Sequence, residues 1–447
     1  MILYIPLEVY TREIKGHLLL ASIAVSRGYQ VLIGSPSDLW MYKRLNLLPR
    51  GNYLLKNMNI PSHSESQYKS YIEAGFDLYC HEQEPSIIYS QFEDFIEIMK
   101  IDTNQYLPFK AVFCWGERGK IGYQKIFPLN KNIFFNTGSP RSDLWSDKFL
   151  PLRSKNIKKS KRPYILFVLN FGILMGKKHM SWQIDNLVNL DLIKNDSDFY
   201  KFINSFKEEN IVGYEIIKAI KHVASNFPNY DVILRPHPVS KIENWKSLFK
   251  DVTNITVTSN RDSLSEWISN SCVVIHNGCT SAIESVIQNI PIICYGPIRK
   301  SARANLPNDL GFRATDLIEL EEKINYVLES ENVYKNPAES KELLRDIIST
   351  ETQDSANLFI DIINDNSNCN SKFEITFFNI IKLFLVKRLK ISMDFLRKLF
   401  GNHDLKDVDY KINNNEVTQD VESICKILNI NSPKIKFISN TSMFLKN

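Results

Sequence analysis

Arg235-Pro236-His237-Pro238 and, about forty residues later, His276-Asn277-Gly278-Cys279-Thr280-Ser281 collect the side chains of this chain best suited to holding a phosphate. Arg235 offers a planar fork of donors for phosphate oxygens, and His237 can donate to a phosphate or a leaving group. Two prolines set the turn between them. His276 to Cys279 reads as turn chemistry, and Thr280 and Ser281 are helix N-cap types ahead of the stretch Ala282 to Gln288, which reads as a helix. A helix starting there would present free N–H groups and hydroxyl donors to an anion, with Asn277 and Gly278 in the approach loop. Glu284 lies one turn in, spaced to accept from ribose hydroxyls. The bland alternative for His237 is a satisfied structural histidine behind a strand.

These residues need strands to carry them. Cys272 to Ile275 and Ile290 to Tyr295 are short apolar runs flanking the helix, so the segment reads as a β-α-β unit with its chemistry at the strands' carboxyl ends. Tyr164 to Leu169, Val232 to Leu234 and Ile255 to Val257 are further strands, with helices at Ile211 to Asn226 and Leu264 to Ser269. Asn170-Phe171-Gly172 follows the first of these strands, and Gly172 would let the backbone approach a donor phosphate. The N-terminal part repeats the plan. Ile2 to Ile5 is a strand, Arg12 to Arg27 a helix closed by Gly28, and Val31 to Gly34 a strand; Asp77 to Cys80, Ala111 to Cys114 and Ile133 to Asn136 continue the sheet.

The expected organisation is α/β: a Rossmann-like acceptor domain over 1–152, a Rossmann-like nucleotide-sugar domain over 153–350, and a helical extension over 351–447. Two such domains facing one another would leave a cleft. Glu8, Arg12 and Glu13 follow the first strand and are candidates for acceptor or donor contacts, with ion pairing at the helix start as the alternative. Arg141, in Thr137-Gly138-Ser139-Pro140-Arg141, either lines the cleft or serves a turn. The basic run Arg153 to Arg162 reads as a solvated linker, and Asp196-Ser197-Asp198 as a chance match to a metal motif, so no metal is expected. Phe373 to Phe400 combines Phe, Leu and Ile with six basic residues; it either lies on an anionic membrane surface or packs back on the first domain. A small helix is expected around Val417 to Leu428.

Composition narrows the class. At 447 residues and 44% hydrophobic content the chain can bury two cores, which excludes a disordered protein. A net charge of +5 is too mild to imply nucleic acid. Seven cysteines without a CxxC pair suit a reducing cytosol, and MILYIPLEVYTREIK lacks the basic lead of a signal peptide. No run of 18 uncharged apolar residues exists to span a membrane. The expected location is the cytoplasm, against the inner face of the membrane if the basic helix binds there.

RPHP followed by HNGCTSAIE resembles the His-Pro and Ser/Thr motifs of bacterial surface-polysaccharide glycosyltransferases, notably the polysialyltransferase-like and capsule Kdo transferases. ILYIPLEVYTREIKGHLLLA, LPRGNYL at 48–54, CWGE at 114–117, TGSPRSDLW at 137–145 and VLNFG at 168–172 are similar to segments of the family called surface carbohydrate biosynthesis proteins, and the likeness covers roughly residues 1 to 345. The resemblance implies a GT-B fold and an inverting, metal-independent transferase without a bound cofactor. Its donor would be a nucleotide-sugar, a CMP-linked keto acid such as Kdo or a nonulosonic acid in preference to a UDP-hexose, and its acceptor a surface glycan or glycolipid. It also implies a first-domain carboxylate as catalytic base. The matching stretch is His81-Glu82-Gln83-Glu84-Pro85, so Glu82 or Glu84 inherits that role, with Glu84 favoured and a Pro standing where the family has Gly. The rivals are a polyol-phosphate transferase of the teichoic-acid kind and a non-catalytic sugar-nucleotide-binding scaffold.

Overall fold

A computed structural model describes the chain except for residues 57, 59–61, 82–106, 154–161, 172–179, 190–191, 238–239, 259–262, 297–305, 330–335, 350–353, 370–373 and 400–409, and except for the side chains of 62–66, 338 and 393–399. It forms two compact units. The first takes the N-terminal part up to Leu152 together with Arg345–Asn447, and the second is built from Arg153–Leu344.

The first unit holds an eight-stranded sheet. Its strands are β1 (Ile2–Pro6), β2 (Gln30–Gly34), β3 (Asn52–Leu55), β4 (Asp77–His81), β5 (Ala111–Cys114), β6 (Phe134–Asn136), and, from the far end of the chain, β13 (Lys434–Ser439) and β14 (Ser442–Lys446). The order is β13-β14-β2-β1-β3-β4-β5-β6. Strands β1 to β6 pair in parallel, and each reads as a short apolar run because a parallel strand is covered on both faces. The hairpin β13–β14 caps the β2 edge antiparallel. Among the described residues the helices of the N-terminal part are α1 (Tyr10–Ser26), α2 (Pro36–Arg44), α3 (Ser62–Glu73), α4 (Glu117–Ile126), α5 (Pro140–Asp143) and α6 (Leu150–Arg153).

The second unit carries β7 (Tyr164–Val168), β8 (Asp231–Arg235), β9 (Ile255–Val257), β10 (Val273–His276), β11 (Ile292–Tyr295) and β12 (Phe312–Ala314), all parallel in the order β12-β11-β10-β7-β8-β9. Its helices are α7 (Met180–Asn189), α8 (Asp196–Asn226), α9 (Ile242–Leu248), α10 (Leu264–Ser269), α11 (Ser281–Ile287), α12 (Leu317–Glu329) and the start of α13 (Ala338–Ile347), within which the chain returns to the first unit. Ile165, Phe167, Val232, Leu234, Val273 and Ile275 bury one face of the sheet against Ile216, Ile220 and Val223 of α8, Trp245 of α9 and Leu320 and Ile324 of α12. By strand alternation Val168, Arg235 and His276 lie on the opposite face.

The C-terminal residues differ from the separate helical extension expected of them. α14 (Ser355–Asn366) inserts Phe359, Ile360 and Ile363 into the same core as α1, β1 and β5, each burial contributing on the order of 2 kcal/mol. Phe359 stacks on Phe113 with ring centroids 3.9 Å apart. The start of α14 is held by Asp143, which accepts from the Ser355 N–H at 2.7 Å and its hydroxyl at 2.9 Å. The return segment passes so close to Gly116 that a Cβ there would lie 2.3 Å from the Ile347 carbonyl oxygen. α15 (Phe377–Leu399) packs on the first unit through Leu383 and Lys387, which is paired with the buried Asp38 of α2 at 2.6 Å. α16 (Asn414–Leu428) lies where a small helix was expected and adds Val417, Val421 and Ile424 to the core. No helix among the described residues is long and apolar enough to cross a membrane.

Candidate functional site

In the second unit the chain runs β7-β8-β9 to one side and then β10-β11-β12 to the other, so strand order reverses between β7 and β10. Open parallel sheets bind ligands at the carboxyl ends of strands at such a point. There the residues singled out in the sequence come together. His276, Val168 and Arg235 are register partners on three adjacent strands, β10, β7 and β8, and therefore share a level and a face. One level beyond, Asn277 Oδ1 accepts from the Asn170 N–H at 2.7 Å, and Asn170 Nδ2 donates to the Gly278 carbonyl at 2.8 Å. Gly278 has φ +89°, a conformation glycine adopts freely. His237 follows Arg235 by two residues on the neighbouring strand, half-buried, its carbonyl accepting from the Ser240 N–H at 2.9 Å.

His276, whose neighbours Asn277 and Gly278 predict a turn, is the last residue of β10. Its Nδ1 accepts from the Gly278 N–H at 3.1 Å, which leaves the ring proton on Nε2. Burial lowers its pKa to about 4, so the ring is neutral near pH 7. Nε2 is buried with no hydrogen-bond partner among the described residues, and the same is true of Asn277 Nδ2 and Ser281 Oγ. A buried polar group left in that state costs about 1–3 kcal/mol. Three of them within six residues, at the reversal point of the sheet, make a set of donors suited to a polar or anionic ligand. The visible signal in the sequence is the continuous apolar run Cys272-Val273-Val274-Ile275, which leads directly into His276.

Other expectations need correction. α11 begins at Ser281 and has seven residues, and Thr280 is already helical at φ −59°, ψ −14° with no side-chain cap bond; the donors here are side chains rather than a long helix's N-terminus. Glu284 is buried, its Oε1 accepting from Ser265 Oγ of α10 and from Gln288 Nε2 at 3.1 Å, so this oxygen ties α10 and α11 together. Asp196 and Asp198 open the 31-residue α8, which starts well before the expected Ile211; Asn195 Oδ1 accepts from the Asp198 N–H at 3.0 Å, a helix cap. Of the basic run expected as a solvated linker, Arg153 is buried, Arg162 is exposed and pairs with Asp231 at 2.9 Å, and 154–161 lie outside the described residues.

In the first unit, strand order reverses at β1, and the candidates Glu8, Arg12 and Glu13 sit just beyond it. They form an ion-pair cluster. Glu13 is buried and accepts from the N–H groups of Glu8 at 2.8 Å and Val9 at 3.1 Å, capping α1, where Val9 has no side chain to do so. Arg12 reaches Glu13 at 3.4 Å, and Lys56 at the end of β3 pairs with both Glu8 and Glu13. Arg141 lies in the first turn of α5 with its guanidinium over Trp145 at 5.4 Å. It lines a small pocket with Glu13, His17, His81 and Phe359. Burial lowers the pKa of His17 to about 4 and of His81 to about 3. Neither histidine was singled out in the sequence. Glu82, Glu84 and Gly172 lie outside the described residues. Among the described residues no group of three or more His, Cys, Asp or Glu side chains is arranged to hold a metal ion.

Two reversing parallel sheets, each a Rossmann-like unit, with the chain returning to the first unit at its end, match a known architecture. The S. aureus MnaA-UDP structure superposes with a TM-score of 0.51 at 10% identity, covering 84% of this chain and 99% of that one. The chain has the GT-B fold. Two variants of the wall teichoic acid polymerase TagF agree: one gives a TM-score of 0.51 at 10% identity, the other, soaked with CDPG, 0.50 at 11%, each covering 82% of this chain and 88% of that chain. No protein-family model matches the chain, and no curated protein matches it in sequence.

Proposed function

We propose that the chain is a GT-B transferase that takes a sugar from a nucleotide-activated donor, releasing the nucleotide, and adds it to a surface glycan or glycolipid at the cytoplasmic side of the membrane. The observation that carries the reading is the trio of buried side-chain groups, His276 Nε2, Asn277 Nδ2 and Ser281 Oγ, at the reversal point of the second sheet. In this reading their N–H and O–H groups face donor oxygens, and Arg235 at the end of β8, two strands from β10, and His237 just beyond it meet the diphosphate or phosphate that leaves. Developing negative charge on the leaving group is then stabilised by donors already fixed by Asn170 and Gly278, with no reorganisation at the moment of reaction. The motif resemblance favours a CMP-linked keto acid as donor, inverting transfer, and a base from Glu82 or Glu84 to take the acceptor proton.

A second reading has its own support. The TagF structures that share the fold include one soaked with CDPG, which favours transfer of a polyol phosphate from a cytidine diphosphate donor. Donor hydrolysis assays with CMP-Kdo, UDP-N-acetylglucosamine and CDP-glycerol separate the two. Release of CMP from CMP-Kdo, lost in Arg235→Ala and His237→Ala, is expected on the first reading. CMP release from CDP-glycerol alone moves the assignment to polyol-phosphate transfer, and binding without turnover of any donor leaves a scaffold.

A further inference from the structure

One face of α15 holds the helix on the first unit, and the other holds a continuous apolar stripe in solvent. Leu383 and Lys387, one turn apart, point inward: Leu383 is fully buried and Lys387 reaches the buried carboxylate of Asp38. On the opposite side, Phe377, Phe378, Ile381, Phe384, Leu385 and Leu389 repeat at intervals of three and four residues. Phe377, Phe378, Leu385 and Leu389 are 63%, 74%, 53% and 64% exposed. Isolated exposed apolar residues need no explanation, but a run of this length along one helix marks a surface that something covers.

Charge identifies the cover. From Phe377 to Ser392 the helix contains no acidic residue, while Lys382 is exposed at one edge of the stripe and Arg388 is exposed among its apolar residues. Arg388 lies over the Phe384 ring at 4.8 Å, and Lys436 of the adjacent β13 over the Phe377 ring at 4.7 Å, with Lys434 exposed beside it. Aromatic and aliphatic side chains bordered by cations of one sign, on a helix too polar to span, fit the boundary of an anionic bilayer, where rings enter the acyl region and basic ends remain at the headgroups.

We propose that the outward face of α15 docks the protein on an anionic lipid surface, the stripe from Phe377 to Leu389 lying in the membrane plane for about 20 Å. This rests on α15 and its neighbours alone and stands or falls separately from the donor site. Bilayer contact adds the function of holding the chain at the surface where a glycolipid acceptor would be presented.

Flotation of the full chain with phosphatidylcholine vesicles, with and without about one-quarter phosphatidylglycerol, tests it. The intact protein is expected to float with the anionic vesicles and at least tenfold less with neutral ones. Lys382→Gln with Arg388→Gln should reduce the partition coefficient about 25-fold, about fivefold for each charge removed. Ile381→Asn with Leu385→Asn should abolish flotation; both residues face solvent, so the thermal melt should be unchanged, and if it falls the charge pair still decides. No flotation of the intact protein, or flotation indifferent to both pairs of substitutions, overturns the proposal. So does a concentration-dependent dimer that Ile381→Asn with Leu385→Asn dissolves in the absence of lipid binding, which would make the stripe an interface between two copies.

Discussion

Asp143 offers a test of how the C-terminal return is held. Burial raises its pKa from 3.8 to about 6, against the lowering effect of the Ser355 hydroxyl and N–H. The folded carboxyl therefore binds its proton more tightly than the unfolded one, and the stability this gives is complete below about pH 4 and lost as pH rises through about 6. The gap corresponds to about 3 kcal/mol. Asp143→Asn removes the ionisation and keeps one acceptor for Ser355, losing the second bond at about 1 kcal/mol. The variant should therefore be about 1 kcal/mol less stable than the parent at pH 3 and about 2 kcal/mol more stable at pH 7.5. Urea unfolding of both proteins at the two pH values measures the difference. His17, His81 and His276, with lowered pKa values, push absolute stability the other way, upward as pH rises from about 4 to 6.5, but cancel in the comparison. A difference that does not change with pH, or that favours the parent more at pH 7.5, refutes the argument.

Two further substitutions probe the same packing. Gly116→Ala places a methyl against the Ile347 carbonyl and should cost about 1–3 kcal/mol in urea unfolding; an unchanged midpoint would show that the return segment does not lie there. Lys387→Met leaves the Asp38 carboxylate buried with Thr441 and the more distant Lys390, and should destabilise by about 3–5 kcal/mol, with Asp38→Asn in the same protein recovering more than half. A double variant no better than the single would mean that the helix contact, and not the buried charge, carries the loss.

Much of the second sheet was legible because parallel strands covered on both faces leave uninterrupted apolar runs, as at Tyr164–Val168 and Val232–Leu234. Arg235, Asn170 and Asn277 could be read as neighbours because the strand order of an α/β unit brings the ends of β8, β7 and β10 to one edge. What was not legible depends on long-range partners. Glu284 has a tie to Ser265, 19 positions earlier, through its Oε1, which no local pattern shows. His276 looked like turn material because its neighbours Asn277 and Gly278 are, although the strand's hydrogen bonds run through it. The hairpin β13–β14 hid in a lysine- and asparagine-rich tail; its alternation, Lys434-Ile435-Lys436-Phe437, was short, and nothing local shows that β2 leaves an edge for it.

Calorimetric titration of the intact chain with CMP, UDP and CDP-glycerol, repeated on His276→Asn and His276→Gln, tests the central claim most directly. Asn keeps an acceptor for the Gly278 N–H and loses the outer donor, whereas Gln carries a donor near the position of Nε2. One nucleotide should bind the parent, His276→Asn should weaken it by about 10- to 100-fold, the worth of a hydrogen bond to a charged group, and His276→Gln should recover most of the loss. Absence of binding by all three, or binding that both variants leave unchanged, would contradict the placing of a nucleotide donor at the reversal point of the second sheet.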